Sequence, residues 1–458
     1  MPTYLTTQGI PMKLSTLFIA IISCTTTSTI LSSCSNGITS SNSNSPQLTI
    51  IPASALSESV QYCQNNVIGS DYPFFINGIS NSGEIIGSTY AQALENGFDM
   101  VCTYQPFISN GQEFIVAQID PAVITNALQP DDISMAYGGA FNSISNNGFI
   151  IGDLQVNPIT KFGAIYTSNN LTQMPLINWS DISNIKATSI NNIGTRIIGL
   201  NNLSNTRIQA SYLYNVTTEV YESFNINSEK FVTINSINNN NISVGNATDY
   251  DDDNVPFDTT GVICNENNCV AYSPNEENEY NLISISNDSK YILGYDITNE
   301  QPFYLINYGS GYSSTITLEN GLYPFSHSLS DDGTSILVNT DAQSTNDAWY
   351  LYSISTNNYY NVVSFINSLN LGIDTTDNSG FKLMGLSSNG KYLYGEIMTS
   401  STIPELGSVH VPWKIYFPQG ITASLNNGIS APLEQLKINL KNNTKGQKTR
   451  EKIKYTNN

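Results

Sequence analysis

The sequence is poor in the residues that most catalysis uses. Its 458 residues include two His (His327 and His410), three Trp and six Cys, and only 12% are Asp, Glu, Lys or Arg. No GxSxG, HExxH or phosphate-cradling glycine loop occurs in a supporting strand–turn–helix context, so no catalytic set stands out. Cys264 and Cys269 have four residues between them and no second CxxC or nearby His, which argues against an ordinary zinc site. No window sustains a 3.6-residue apolar period with good helix formers, which excludes long helices. Basic residues are scarce too, 17 against 37 acidic ones for a net charge of −20, so nucleic acid is not expected as a partner.

Asn, Ser and Thr take the place of charge, with 27 Tyr and 17 Phe to build a core. Asn tolerates positive φ and caps its own backbone, so this composition suits an all-β chain with many turns. One pattern recurs seven times, centred on Ile79 (INGISNSGEIIG), Ile144 (FNSISNNGFIIG), Ile190 (ATSINNIGTRIIG), Ile237 (INSINNNNISVG), Ile285 (LISISNDSKYILG), Leu329 (SHSLSDDGTSILV) and Leu386 (LMGLSSNGKYLYG). The centres are spaced by 65, 46, 47, 48, 44 and 57 residues, and a period in the forties accommodates four short strands. The expected fold is therefore all-β, a seven-bladed β-propeller built from seven repeats of four short antiparallel strands.

Each copy reads as a strand, a tight polar turn and a second strand. Gly83, Gly148, Gly194, Gly333 and Gly390 supply positive φ at the turn, where copies four and five carry Asn241 and Ser289. A small residue stands before every centre: Gly78, Ser143, Ser189, Ser236, Ser284, Ser328 and Gly385. Seven small residues imply crowding around the axis, and alternation sends each central Ile or Leu into packing between blades. Tyrosines of the third strands (Tyr104, Tyr166, Tyr214, Tyr272, Tyr304, Tyr350 and Tyr416) are expected to pack blade on blade. Two segments compete to complete the last blade, Leu48–Ile51 before the first copy and Ile421–Leu425 after the seventh.

These repeats resemble the HAF-repeat family of bacterial extracellular proteins, whose unit reads like GINNxGxIVG. The resemblance runs from Phe75 to about Phe417 and departs at Asn241, Ser289 and Val338, with no clear His-Ala-Phe stretch. It implies an exported, repeat-built protein and brings no activity with it. A propeller is itself only a scaffold, so function must come from sites.

The N-terminus carries an address. Leu14–Ile22 is an apolar run behind Met12 and Lys13, too short to span a bilayer and right for a signal peptide. Leu31-Ser32-Ser33-Cys34 resembles a bacterial lipobox, with a weaker second match ending at Cys24. Lipidation of Cys34 would anchor the chain through acyl chains, and by analogy with known lipoproteins Ser35 after it, rather than Asp, favours the outer membrane. The chain then divides into residues 1–34 as signal peptide with lipobox, 35–46 as flexible tether, 47–430 as propeller and 431–458 as a basic, disordered tail. That tail carries seven Lys and Arg against two Glu, so the body is more acidic than the whole. The remaining cysteines suit an exported protein: Cys264 and Cys269 face each other across a hairpin, leaving Cys63 for Cys102.

Candidate sites are few. Asp249, Asp251 and Asp253 follow the alternate spacing that wraps carboxylates around calcium, the candidate cofactor. Asn254 and Thr260 replace the Gly and Glu of an EF-hand, so this is no EF-hand. His327, two residues before the sixth centre, stands where other copies have Asn77, Asn142, Thr188 and Asn235, and is expected to line the channel. The loops Asp120–Tyr137 and Phe365–Lys382 are long enough to border a pocket. The expected function is that of a monomeric, lipid-anchored propeller of the cell envelope or surface, without catalysis, binding a protein or glycan ligand through its loop face. The alternative is a polysaccharide hydrolase or lyase using the central funnel, which should gather two or more acids with His327 or tyrosines at the axis.

Overall fold

A polar turn between two apolar strands becomes an inner hairpin in every repeat. In the computed structural model of the chain these are Phe74–Ile79 with Ile85–Glu95, Gly138–Ile144 with Phe149–Gln155, Ile185–Ile190 with Arg196–Asn202, Phe231–Ile237 with Ile242–Tyr250, Tyr280–Ile285 with Tyr291–Asp296, Pro324–Leu329 with Ser335–Thr340, and Phe381–Leu386 with Tyr392–Ser400. The structure describes residues 45–66, 74–95, 99–117, 138–155, 161–167, 185–202, 209–226, 230–251, 255–272, 274, 277–306, 312–316, 324–340, 349–356, 358–373, 375 and 380–428. Further antiparallel strands complete six four-stranded sheets, and the second repeat shows three strands among the described residues. Together they form a seven-bladed β-propeller.

The turn chemistry is identical in all seven blades. The residue after each centre is buried and polar (Ser80, Ser145, Asn191, Asn238, Ser286, Ser330, Ser387). Its side-chain oxygen accepts a hydrogen bond from the backbone N–H that opens the second strand, from Glu84 N in blade 1 to Tyr392 N in blade 7. The turn then closes through a left-handed residue with φ between 59° and 88°, which is Gly in five blades, Asn241 in the fourth and Ser289 in the fifth. Asn is the better substitute because its short side chain tolerates this region.

Every inner hairpin also carries a β-bulge. Pairing skips one residue between Ile76 and Gly78, Phe141 and Ser143, Ala187 and Ser189, Ile234 and Ser236, Leu282 and Ser284, Ser326 and Ser328, and Leu383 and Gly385. In blades 1, 2, 4 and 7 the bulge drives a carbonyl against the glycine that ends the repeat. A β carbon at Gly87 would lie 2.0 Å from Phe75 O, and at Gly152, Gly245 and Gly395 it would lie within 2.1 Å of Ala140 O, Thr233 O and Lys382 O. In these four blades the closing glycine is the sterically required one, whereas blade 6 carries Val338 opposite the same bulge and the Gly294 contact in blade 5 is with the Phe303 ring. Crowding does not explain the small residue before the centre in general: a β carbon at Gly78 would meet Ile86 at an ordinary 3.8 Å. Only at Gly385 is it excluded, by the Tyr394 hydroxyl at 2.3 Å.

The core consists of seven apolar clusters, each shared by two consecutive blades. Successive strand residues point to opposite faces, so adjacent apolar residues serve different neighbours. Ile85 packs toward blade 7 and Ile86 toward blade 2; Ile150 and Ile151, Ile197 and Ile198, and Ile292 and Leu293 divide likewise. All seven central Ile or Leu side chains are buried between blades, as expected.

The N-terminal segment closes the ring. Gln47–Ile50 pairs antiparallel with Ser408–Tyr416 and supplies the fourth strand of blade 7, from Gln47 opposite Tyr416 to Ile50 opposite Trp413. The helix α1 (Glu58–Asn66) follows and packs on the second strand of blade 1 and the third of blade 7. The competing segment Ile421–Gly428 is a helix, which with Val362–Ser368 packs on the blade 6–7 core. Phe365 and its neighbours are therefore structural rather than pocket-forming.

Gly87→Ala is expected to lower the urea midpoint by the equivalent of roughly 2–3 kcal/mol, the scale of a backbone overlap that cannot relax. Gly78→Ala in the same hairpin should leave the midpoint nearly unchanged; equal effects would remove the bulge argument.

Candidate functional site

The two ends of the propeller differ in chemistry. At the hairpin end, the turns are tied tangentially into a polar belt. Asn146 N donates to Asn192 O, Ile193 N to Asn239 Oδ1, Asn239 N to Asn287 Oδ1 and Asn287 N to Asp331 O. Asp331 N then donates to Ser388 O, while Ser388 Oγ and Asn389 N both donate to Asn81 Oδ1. One bond spans the ring between non-adjacent blades: Asn192 Nδ2 donates to Asp331 Oδ2 at 2.6 Å, from blade 3 to blade 6. Burial pushes the Asp331 carboxyl up to about 6, against the pull of its hydrogen bonds from Ser388 and Asn192.

Above the belt, the bulge residues link neighbouring inner strands. Asn77 Nδ2 donates to Phe141 O, Asn142 Nδ2 to Ala187 O and Asn235 Nδ2 to Leu282 O, each in the next blade. His327 occupies the same bulge in blade 6, and its side chain is outside the described ones. Acids near this end include Asp331 with Asp332 beside it in the same turn, and Asp153, whose Oδ1 accepts from Asn142 Nδ2 at 2.8 Å.

The opposite, loop end carries two further groups. Phe75 is 42% exposed at the start of the innermost strand of blade 1. It meets Tyr104 edge-on at 5.1 Å, and Tyr104 lies 3.9 Å from Tyr90 across the long hairpin Ile85–Glu95 and Asp99–Ser109. In blade 7, Lys382, Glu396 and His410 come together on three adjacent strands. Glu396 lies opposite Lys382, and His410 pairs two residues further along the sheet. The Lys382 ammonium is 3.2 Å and His410 Nδ1 3.8 Å from Glu396 Oε1. Glu396 has no exposed side-chain surface, and burial pushes it up to about 7 against the lowering charge of Lys382. Burial and Lys382 together depress His410 to about 4.

The helix α1 seals this corner. Gln64 Oε1 accepts from His410 N and its Nε2 donates to His410 O, standing in for a strand neighbour. Gln61, 1% exposed, donates to Thr402 Oγ1 and accepts from Ser401 Oγ. The Cys63–Cys102 disulfide fixes α1 to the third strand of blade 1, and Cys264–Cys269 crosses a hairpin of blade 4. Both pairings match the reading of the sequence.

Asp249 faces Asp258 across the hairpin, and Lys230 contacts Asp258 at 2.5 Å and Asp249 at 3.9 Å. Asp251 accepts from Val255 N and so caps the turn. Asp253, Cys34, the loop Asp120–Tyr137 and the basic tail lie outside the described residues. No group of three or more potential metal-ligating His, Cys, Asp or Glu side chains occurs among the described residues.

Glu396, Asp331 and the roles of Lys382, Phe75 and Tyr90 were not singled out from the sequence, and Tyr104, expected to pack blade on blade, instead meets Phe75 and Tyr90 of its own blade. The signal for Lys382 and Glu396 is positional: at the same repeat positions the other blades pair Phe75 with Ser88, Ala140 with Asp153 and Thr233 with Asn246. Opposite charge at that pair is peculiar to blade 7.

No family model and no curated protein sequence matches the chain. Among solved structures it is similar to TolB from Acinetobacter baumannii (12% identity, TM-score 0.39, 81% of this chain and 96% of that one). It is also similar to a chain of the mitotic checkpoint complex (10% identity, TM-score 0.44, 88% and 100%). A third is a prolyl endopeptidase (10% identity, TM-score 0.39), of which the match spans 38% of the length and 55% of this chain. At these values the likeness carries nothing about function.

Asp331 offers a pH test. Its folded-state value of about 6 lies above the ordinary 3.8, so its ionisation opposes folding. The stability withheld at pH 8 returns as pH falls through 6 and is fully present below the ordinary value. Asp331→Asn should therefore gain over the wild type as pH rises from 4 to 8, on the order of 2 kcal/mol in urea unfolding. A gap independent of pH would show that the carboxyl is not held in the belt as described.

Proposed function

We propose that this chain is an exported, lipid-anchored propeller of the bacterial cell envelope that binds a glycan or protein ligand on its loop face. The aromatic group of Phe75, Tyr90 and Tyr104 carries the binding reading. A ring exposed at the mouth, backed by two tyrosines on a rigid hairpin, gives flat apolar area with polar rims, which suits stacking on sugars or receiving a side chain. Two disulfides in one chain support export, since such bonds persist outside the cytoplasm. The lipobox-like Leu31–Cys34 supports an acyl anchor at Cys34, followed by a Ser/Asn-rich tether that lets the propeller stand off the membrane.

Two measurements test this. Cells fed a clickable palmitate analogue should label the wild-type protein, and Cys34→Ser should abolish both the label and membrane sedimentation; persistence of both would point to Cys24 or refute the anchor. Binding should be assayed by co-sedimentation with purified sacculi and by titration with soluble surface polysaccharides and envelope protein extracts. Where a ligand binds, Phe75→Ala with Tyr104→Ala should weaken it at least about tenfold, about 1.4 kcal/mol. The outer-strand control Val270→Ala should not, and equal affinities across all three proteins would end the loop-face reading.

A further inference from the structure

The corner of blade 7 holds an amine, a carboxyl and an imidazole in a place largely closed to water. The Glu396 side chain has no solvent exposure, and the polar groups facing its carboxylate are the Lys382 ammonium and the His410 imidazole. His410 Nδ1 is buried and has no hydrogen-bond partner among the described residues. Lys382 Nζ lies 3.2 Å from Glu396 Oε1, with His410 Nδ1 3.8 Å from the same oxygen. An ion pair here is expensive, because the buried carboxylate loses its hydration and its contact with Lys382 offsets only part of that loss. The same atoms have a neutral alternative.

We propose that Lys382 and Glu396 condense after folding into a side-chain amide, a covalent cross-link between the first and second strands of blade 7. Within the ion pair a proton passes from Nζ to Oε1, leaving an amine against a carboxylic acid. The amine lone pair attacks Cδ and forms the N–C bond. The Cδ–Oε1 bond then breaks, and Oε1 leaves as water with the proton that nitrogen releases, carried by His410 Nδ1. One amide and one water are the only products; no oxidant or other reactant enters. Contact distances of this kind, held by a folded sheet, give an intramolecular reaction its high effective concentration. Burial that favours the neutral acid and the neutral imidazole supports the same step.

The contacts of Lys230 with Asp258 and Asp249 show what is special about this one. Lys230 touches Asp258 more closely, but the Asp258 side chain is 50% exposed, so water solvates the charges and the pair stays ionic. Cross-linking at Lys382 and Glu396 would reinforce the blade in which the two ends of the propeller meet.

The test is mass spectrometry of the mature full-length protein with its disulfides reduced and alkylated. A digest should contain a branched peptide joining Lys382 to Glu396, lighter than its two parts by one water, and no such branch at Lys230 and Asp258. Lys382→Arg should show the unbranched mass. Glu396→Gln should show the branch with loss of ammonia instead of water relative to its own sequence. His410→Ala should leave a larger unlinked fraction. Unlinked Lys382 and Glu396 peptides from the wild type, or a water loss mapped elsewhere, would overturn the proposal even if the variants fail to fold.

Discussion

The architecture depends on a bulge. In each inner hairpin one residue is skipped, and in four of them the resulting kink pushes a main-chain carbonyl into the space a β carbon would take on the partner strand. Glycine answers that contact in blades 1, 2, 4 and 7, where the carbonyl would lie within 2.1 Å of the added carbon. The same bulge frees a side chain for the neighbouring blade. At Asn77, Asn142 and Asn235 that side chain bonds the next inner strand, so the irregularity within one sheet becomes the connection between sheets.

Two further rings reinforce this geometry at different radii. Inside, the buried Ser or Asn after each centre satisfies its own turn, and the turns bond to one another around the belt. Outside, consecutive apolar residues divide between two interfaces, so each second strand contributes to both cores it separates. A buried polar ring is tolerable because its donors and acceptors are matched, whereas a mismatched one would cost more than it stabilised. Asp331 places a carboxyl in that ring, and burial raises it against the pull of its hydrogen bonds from Ser388 and Asn192.

Blade 7 has to do something the other blades do not. Its fourth strand comes from the opposite end of the described chain, and α1 then crosses to blade 1, where a disulfide holds it. Lys414, largely buried, reaches across the same seam to donate to Gly83 O and Asn110 O. The unusual chemistry of Lys382, Glu396 and His410 lies on the sheet that α1 covers at this seam. Polar groups drawn from three strands and one helix converge where covalent continuity of the chain does not close the ring.

Repeat number, blade pattern, turn positions, left-handed residues and both disulfides were legible in the sequence, because each depends on residues close together in the chain or on their recurrence. The reason for the closing glycine was not, since it lies in a carbonyl of the opposing strand. Nor could the sequence choose between Leu48–Ile51 and Ile421–Leu425 as the last strand: both are short apolar runs of suitable length, and pairing across more than 350 residues decides. Asp249 and Asp251 show the same limit, because alternate spacing put carboxylates in one loop, while the cross-strand register brought Lys230 and Asp258 among them. Local stereochemistry was thus written in the sequence of each repeat; which groups meet, and how dry the place is where they meet, was decided by closure of the ring.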